Sequence, residues 1–238
     1  MEISDIREIL RECEKSIVFA IFERSRWKSN PSAYKIDPTT GKSLFTSLLE
    51  EIEKVHTKFG RYNCPEEHAF TNIDTKPTVN STNKSYCIDY FLDKRHTRIN
   101  NNETIIDKYF NLLLPKITEE GEDENLGSAV TADINLLQAL SRRIHLGKLV
   151  AQSKYDSNKD WYSNIHTDED YFTKLTNLEV ETAILERLKK KINNFNDELV
   201  NNFPNIRFKP SEIVNIYRDF IIPETKRVQI SYFKLLSQ

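Results

Sequence analysis

Apolar residues recur at every third or fourth position over long stretches of this chain, and no other feature limits its fold as strongly. In the first stretch they are Ile6, Leu10, Cys13, Ile17 and Ile21. This spacing places side chains on one face of an α-helix, whereas a half-buried strand needs alternation of period two. The chain also has only 5 Gly in 238 residues, which argues against a β-rich fold and against Gly-rich phosphate loops. We therefore predict an all-α fold.

The periodic segments predict where the helices lie. They are expected from Ser4, as an N-cap, to about Trp27, and then at about 43–56, 104–117, 129–155, 177–199 and 211–236. The second helix is expected to bury Leu44, Leu48, Leu49, Ile52 and Val55. Pro223 should kink the last helix, and a short helical linker should lead into the helix at 177.

The segments between these helices predict loops. Residues 63–102 contain Pro65, Pro77 and many Asn and Thr, so an irregular excursion is expected there. The acidic stretch 119–127 is expected to be a surface loop. Because no internal repeat is present, we predict one domain over residues 1–238, a single-domain multi-helix bundle with long helices packed side by side.

The charge balance and the cysteines exclude several classes of protein. The 34 basic and 36 acidic residues give a net charge of −2, which provides no general attraction to nucleic acid or to an anionic membrane. Cys13, Cys64 and Cys87 form no CxxC pair, so no disulfide framework is expected. The charged N-terminus is unlike a signal peptide, and no apolar run approaches the roughly 20 residues of a membrane span. We expect a cytoplasmic protein.

One predicted helix carries two cations on the same face. Eleven residues separate Arg143 from Lys154, which at 100° per residue is three turns with about 20° left over. Gly147, Val150 and Ala151 lie between them on that side, so the face forms a concave, positive slot that suits a compact dianion. On this segment alone, solvated cations and a close helix crossing at Gly147 are the simpler interpretation.

Two further pairs of polar residues share a helix face. Asn177 and Glu181 are four residues apart, as are Thr225 and Gln229. Each pair alone is more typical of a helix surface or a cap. His145 has no Cys or carboxylate at helical spacing, so it is interpreted as a packing residue.

The motifs that bind metals and nucleotides are missing from the sequence. It contains no HExxH, no Walker A loop, no GxGxxG and no Cys/His cluster. We therefore expect no metal and no cofactor. An enzyme of this kind would act by positioning its substrate and by electrostatic stabilisation.

Four stretches resemble the eukaryotic, fungal and plant, chorismate mutases. They are IREILRECEKSIVFAIFERS at 6–25, NLGSAVTADINLLQALSRRIHLGKLVAQSKY at 125–155, LTNLEVETAILERLKKK at 175–191 and IYRDFIIPETKRVQISY at 216–232. Their order and spacing extend the resemblance over nearly the whole chain. It implies an all-helical, homodimeric enzyme that rearranges chorismate to prephenate without a cofactor, in phenylalanine and tyrosine biosynthesis.

The resemblance also implies which residues bind the two substrate carboxylates. Arg7 and Arg143 would bind them, and a guanidinium suits this role because it bonds a carboxylate through two parallel hydrogen bonds. Thr225 and Asn177 would assist in holding the same groups.

Three more residues would act on the ring hydroxyl and the ether oxygen. Glu181 would accept a hydrogen bond from the hydroxyl, while Lys154 and Gln229 would donate to the ether oxygen, on which negative charge grows as the C–O bond breaks. Fungal members carry Glu at the position of Gln229, and Glu donates only when protonated, against a reference pKa of about 4.3. Because an amide donates at any pH, we expect activity here without an acidic medium.

The family also has a regulatory site for tyrosine or tryptophan at a subunit interface. The matching positions in this chain are Arg61, Asn125, Gly127, Ser128 and Thr131. Gly60 stands where fungal members have a second Arg, so we expect weakened or altered control. The alternative is that segment 125–131 is an ordinary helix N-terminus with Ser128 as its cap.

Two other functions stay open at the level of sequence. One is a non-catalytic helical interaction or regulatory protein that has kept the scaffold, and the other is an unrelated helical anion-binding module. The complete set of seven site residues favours the enzyme, because a decayed scaffold would be expected to lose some of the cations Arg7, Arg143 and Lys154 first.

Overall fold

The computed structural model describes residues 3–74, 92–163, 165, 167–200 and 209–237, and every regular element in them is helical. The α-helices are α1 Ile3–Ser25, α2 Leu44–Lys58, α3 Asn102–Lys108, α4 Leu114–Ile117, α5 Leu126–His145, α6 Gly147–Ser157, α7 Lys159–Ser163, α8 Asp168–Leu175, α9 Leu178–Val200, α10 Pro210–Ile216 and α11 Ile222–Leu236. Short 3₁₀ helices lie at Pro31–Tyr34, Arg61–Asn63 and Lys94–Arg98, and π turns at Tyr109–Leu113 and Tyr217–Ile221.

The all-α prediction is confirmed. Part of the predicted excursion, including Cys87, lies outside the described residues. None of the helices in the described ranges is long and apolar enough to cross a membrane.

The second helix begins where it was predicted, but only part of its predicted apolar face is buried: Leu49 is buried and Leu48 and Ile52 pack against the core. Its N-cap is Ser43, whose hydroxyl accepts a hydrogen bond from the Thr46 N–H. Leu44 is 43% exposed and Val55 is 50% exposed, so the prediction that both are buried is wrong. The buried residues repeat every four positions, at Phe45, Leu49, Glu53 and Thr57. Glu53 belongs to this face because its carboxylate accepts backbone hydrogen bonds from the segment at 70–71.

A buried polar network fixes α1 against α5. The fully buried Arg24 pairs with Asp133, and the hydroxyls of Tyr34 and Tyr109 donate to the same carboxylate. Arg24 also donates to the carbonyls of Trp27 and Lys28, so it satisfies backbone acceptors at the end of its own helix. The prediction that Ser4 is the N-cap of α1 is wrong, because the helix already includes Ile3.

The long helix predicted at 129–155 is interrupted at Leu146. There α5 gives way to α6, and the Leu149 N–H bonds to the Leu146 carbonyl across a tighter turn. The interruption lies where α6 crosses α11. The two helices are close there, since a Cβ added to Gly147 would come within 2.7 Å of the Thr225 carbonyl oxygen. The close helix crossing inferred for Gly147 is therefore present.

The kink predicted at Pro223 takes the form of a π turn. Residues Tyr217–Ile221 form this turn immediately before Pro223, which lies in the first turn of α11. A second π turn, Tyr109–Leu113, precedes Pro115 in the same way. Proline has no N–H and its ring collides with the carbonyl four residues earlier in an α-helix, and a wider turn relieves both problems.

Candidate active site

All seven residues predicted for the substrate site line one cavity of about 330 Å³. They are Arg7 from α1, Arg143 from α5, Lys154 from α6, Asn177 and Glu181 from the start of α9, and Thr225 and Gln229 from α11. The surrounding surface is largely apolar and includes Leu10, Val150, Tyr162 and Ile222. Residues that are up to 222 positions apart in the chain therefore meet in one partly enclosed space.

Arg143 and Thr225 form the buried end of this group. Arg143 is 3% exposed, and its Nη1 donates to the Thr225 hydroxyl over 3.3 Å. That hydroxyl donates in turn to the carbonyl of Ile221 in the π turn. Within the described residues, the Nε of Arg143 is buried and has no hydrogen-bond partner. A buried unpaired guanidinium N–H is costly, so this donor is suited to an anionic ligand.

Lys154 and Gln229 face each other across the α6–α11 interface. Lys154 Nζ donates to Gln229 Oε1 over 3.2 Å, and Gln229 Nε2 donates to the Thr225 carbonyl over 3.3 Å. Burial, and then the nearby charges of Lys226 and Arg7, lower the pKa of Lys154 to about 8. Because residue 229 is a neutral amide, it supplies no counter-charge that would offset this shift.

Asn177 immediately precedes α9, and Glu181 lies in the first turn of that helix. Asn177 Oδ1 accepts a hydrogen bond from the Val180 N–H, so this side chain caps the helix and still has its amide N–H groups for other partners. Glu181 Oε1 pairs with Lys226 Nζ over 2.6 Å. The capping interpretation and the cavity-lining position therefore both hold for Asn177.

Two cations in the cavity wall were missed by the sequence reasoning. Lys174, near the end of α8, and Lys226, on α11, both line the cavity. Lys226 lies three residues before Gln229, and this helical spacing could have identified it. Among the described lining residues, five cations face one carboxylate, that of Glu181. The cavity is thus strongly positive and complementary to a dianion.

The slot predicted along the Arg143–Lys154 face is only partly correct. Both cations and Val150 line the cavity, as the 100° rotation per residue requires. Gly147, however, contacts α11 rather than forming the floor of the slot, and Ala151 is fully buried in the core. His145 is also buried, and its Nε2 accepts a hydrogen bond from the Asn101 N–H, which agrees with a packing role.

The residues matched to the regulatory site do not converge within the chain. Asn125, Gly127, Ser128 and Thr131 lie at the start of α5. Arg61 instead bonds Glu67 Oε2 at 3.1 Å and Gln138 Oε1 at 2.8 Å, and position 138 is about 10 Å further along α5 than position 131. The expected cap is also corrected, since Asn125 Oδ1 accepts from the Ser128 N–H and Ser128 itself is not the cap.

Comparisons with known proteins identify the family of the chain. The family model described as chorismate mutase type II matches residues 127–230. The chorismate mutase of Pichia angusta is 35% identical over 245 residues, covering 98% of this chain and 86% of the relative. The chloroplastic chorismate mutase 1 of Petunia hybrida is 34% identical over 241 residues, covering 95% and 73%.

A solved structure extends the similarity to three dimensions. The crystal structure of Aro7p chorismate mutase from Candida albicans, in complex with L-Trp, superimposes with a TM-score of 0.85 at 35% identity. The match covers 100% of this chain and 93% of that one. Sequence identity and fold thus agree over nearly the full length of both proteins, and the chain belongs to the fungal and plant chorismate mutases, enzymes that rearrange chorismate to prephenate.

Proposed function

We propose that the 330 Å³ cavity is where chorismate rearranges, with the seven predicted residues in the roles that the family resemblance implies. The observation that carries the proposal is their convergence on one positive cavity. The reaction breaks a C–O bond and forms a C–C bond in one molecule, so no proton has to be transferred. Its barrier falls if the enolpyruvyl arm is held over the ring and if charge growing on the ether oxygen meets a fixed donor.

Arg143 and Arg7 bind the two carboxylates of the substrate. The partnerless Nε of Arg143 supports this role, because a carboxylate would satisfy that buried donor. Arg7 reaches the cavity from an exposed position on α1, where it can change rotamer as the ligand enters. Thr225 fixes Nη1 of Arg143, and Asn177 contributes the free N–H groups of its amide.

Lys154 and Gln229 donate hydrogen bonds to the ether oxygen. An ammonium has three N–H donors and an amide has two, and the structure uses one of each, to Gln229 Oε1 and to the Thr225 carbonyl. Both residues therefore keep donors for the substrate. One such donor, lost from a site that stabilises a growing oxyanion, typically costs about 3–4 kcal/mol in the transition state.

Assembly as a homodimer is the second part of the proposal. Leu44, Val55 and Phe59 are exposed by 43%, 50% and 66%, and their spacing places them on one side of α2 and its C-cap. An exposed apolar stripe of this kind favours burial against a second copy. Arg61 follows directly after this stripe, which would bring it to the interface. Light scattering of the purified protein tests the dimer, and a monomer at micromolar concentration would contradict it.

Tyrosine or tryptophan would bind across that interface, as an inference from the resemblance and from the L-Trp present in the C. albicans relative. In this chain Arg61 is already bonded to Glu67 and Gln138, and Gly60 supplies no second guanidinium. We therefore expect a weak response to either amino acid. One domain over 1–238 and a cytoplasmic location stay predictions.

The activity is tested with purified protein and chorismate in the absence of any cofactor. Loss of chorismate is followed by ultraviolet absorbance, and prephenate is identified as the product. Lys154→Ala and Arg143→Ala are expected to remove most of the turnover. A wild-type protein that folds but does not consume chorismate would instead favour the non-catalytic scaffold.

A further inference from the structure

Lys226 is a cavity cation held by three side chains, and none of the proposed substrate-binding roles includes it. It is 8% exposed. Its Nζ pairs with Glu181 Oε1 over 2.6 Å and donates to Thr176 Oγ1 over 2.7 Å. The same atom lies 5.1 Å from the centre of the Phe172 ring. Three helical regions, namely α8 with the residue after it, α9 and α11, therefore meet at this one ammonium group.

These contacts fix the direction of the ammonium group. Two of its three N–H donors are used by Glu181 and Thr176, and the aromatic face of Phe172 adds a cation–π contact. A flexible surface lysine loses rotamer freedom when it forms an ion pair. Lys226 is already confined by its burial, so its pair with Glu181 costs little additional freedom.

The pair matters because Glu181 has another cation within reach. The charge of Glu181 acts on Lys154, where it opposes the lowering of the Lys154 pKa. A Glu181 carboxylate released from Lys226 would be attracted to Lys154, the group proposed to donate to the ether oxygen. Such a pair would occupy a donor of Lys154 and would also remove the acceptor from the ring hydroxyl.

We propose that Lys226 is a positioning residue that acts on the reaction through Glu181 rather than by binding a substrate carboxylate. By holding Oε1, it leaves Oε2 of Glu181 to accept from the ring hydroxyl and keeps the carboxylate away from Lys154. This inference rests on the proposed function of the cavity.

A double-mutant cycle separates this role from direct substrate binding. Lys226→Met keeps an unbranched side chain over Phe172 and removes the charge and the N–H donors, while Glu181→Gln removes the charge that Lys226 holds. Each single variant is expected to lower kcat by about tenfold or more, with a smaller change in KM. Because the two residues act as a unit, the double variant should lose little more than the worse single variant.

Lys174→Met serves as the matched control, because Lys174 is a second lysine of the cavity wall, whereas the ion pair of Glu181 is formed by Lys226. In the double variant, the fold loss of kcat caused by Lys174→Met should multiply with the loss caused by Glu181→Gln. Lys226→Arg should recover part of the kcat lost in Lys226→Met, since an Arg can still bond the carboxylate. If the fold losses of kcat caused by Lys226→Met and by Glu181→Gln also multiply in their double variant, the proposal is overturned.

A second variant keeps the test valid if Lys226→Met does not fold. Thr176→Val removes one anchor of Lys226 without changing any charge, so it should give a smaller loss of kcat that is absent in a Glu181→Gln background. If Thr176→Val lowers kcat as much in the Glu181→Gln background as in the wild type, the proposal is overturned. Wild-type protein that does not turn over chorismate would overturn the proposed function itself, and this inference with it, whereas multiplying losses in an active enzyme would overturn this inference alone.

Discussion

Replacing Gly147 by Ala tests how closely α6 and α11 must approach for the cavity to work. The added Cβ would lie 2.7 Å from the Thr225 carbonyl oxygen and 3.2 Å from a methyl group of Val228, whereas real Cβ contacts under 3.0 Å are essentially never seen. The nearest of these atoms belongs to the backbone, so it cannot move aside by a rotamer change. The two helices must therefore separate by a few tenths of an ångström, and Thr225 moves with its helix.

The cost of this movement follows from two opposing effects. Overpacking of a tight contact typically destabilises by about 1–3 kcal/mol, while replacing Gly by Ala inside a helix recovers about 1 kcal/mol. The net loss is about 0–2 kcal/mol, which for a chain of this size lowers Tm by at most about 8 °C. Activity should suffer more, because a misplacement of about 1 Å can cost roughly 100-fold in rate. A shift of a third of that distance in Thr225, the partner of Arg143, leads us to expect about a fivefold loss in kcat/KM.

Thermal unfolding by circular dichroism and the chorismate absorbance assay measure the two effects. Gly127→Ala is the stability control, because its Cβ would meet only Asn125 Oδ1, at 3.8 Å, and its Tm should stay the same or rise slightly. A Gly147→Ala protein with unchanged Tm and unchanged kcat/KM would refute the reasoning, since it would mean that the crossing can widen at no cost to the site.

Four further predictions concern the proposed donors and the regulatory site. Lys154→Ala should lower kcat by at least about 100-fold, and near wild-type turnover would be incompatible with the proposed role. The kcat/KM of the wild-type enzyme should stay flat from neutral pH into the acid range and fall above about pH 8, because Gln229 needs no proton and Lys154 loses its own as pH rises through its lowered pKa; a profile that climbs steeply below neutral pH would disagree. Added tyrosine or tryptophan should change the rate only weakly, and strong activation by one with inhibition by the other would contradict this. Gly60→Arg should lower Tm, because Gly60 has φ +76° and a non-glycine residue in this region costs about 1–2 kcal/mol.

The sequence predicted the features that depend on local periodicity. Arg143 and Lys154 were placed on one side of a helix by their spacing alone, and both line the cavity. The family resemblance added Arg7 and Glu181, whose positions no local pattern could have joined. The helical segments at 43–56 and 177–199 were also close to the observed α2 and α9.

The features that sequence reasoning missed depend on tertiary contacts. Leu44 and Val55 fit an apolar stripe, but the buried face of α2 is chosen by what Glu53 and Phe45 meet in the folded chain. The interruption at Leu146 reflects the approach of α11, which no spacing within 129–155 could reveal. Lys226 was overlooked because its importance comes from Thr176 and Glu181, which lie in other parts of the sequence.

The π turn at Tyr217–Ile221 sets the direction of every side chain that follows it on α11. A π turn holds about one residue more than an α-turn, so each later side chain is rotated by roughly 100° relative to an uninterrupted α-helix of the same sequence. Removal of a single residue here would convert the π turn into an α-turn and leave Thr225 and Gln229 opposite Arg143 and Lys154. A straightening of the full-length segment into a continuous α-helix would instead turn both side chains away from the cavity, so the site depends on the wider turn itself rather than on any one side chain within it.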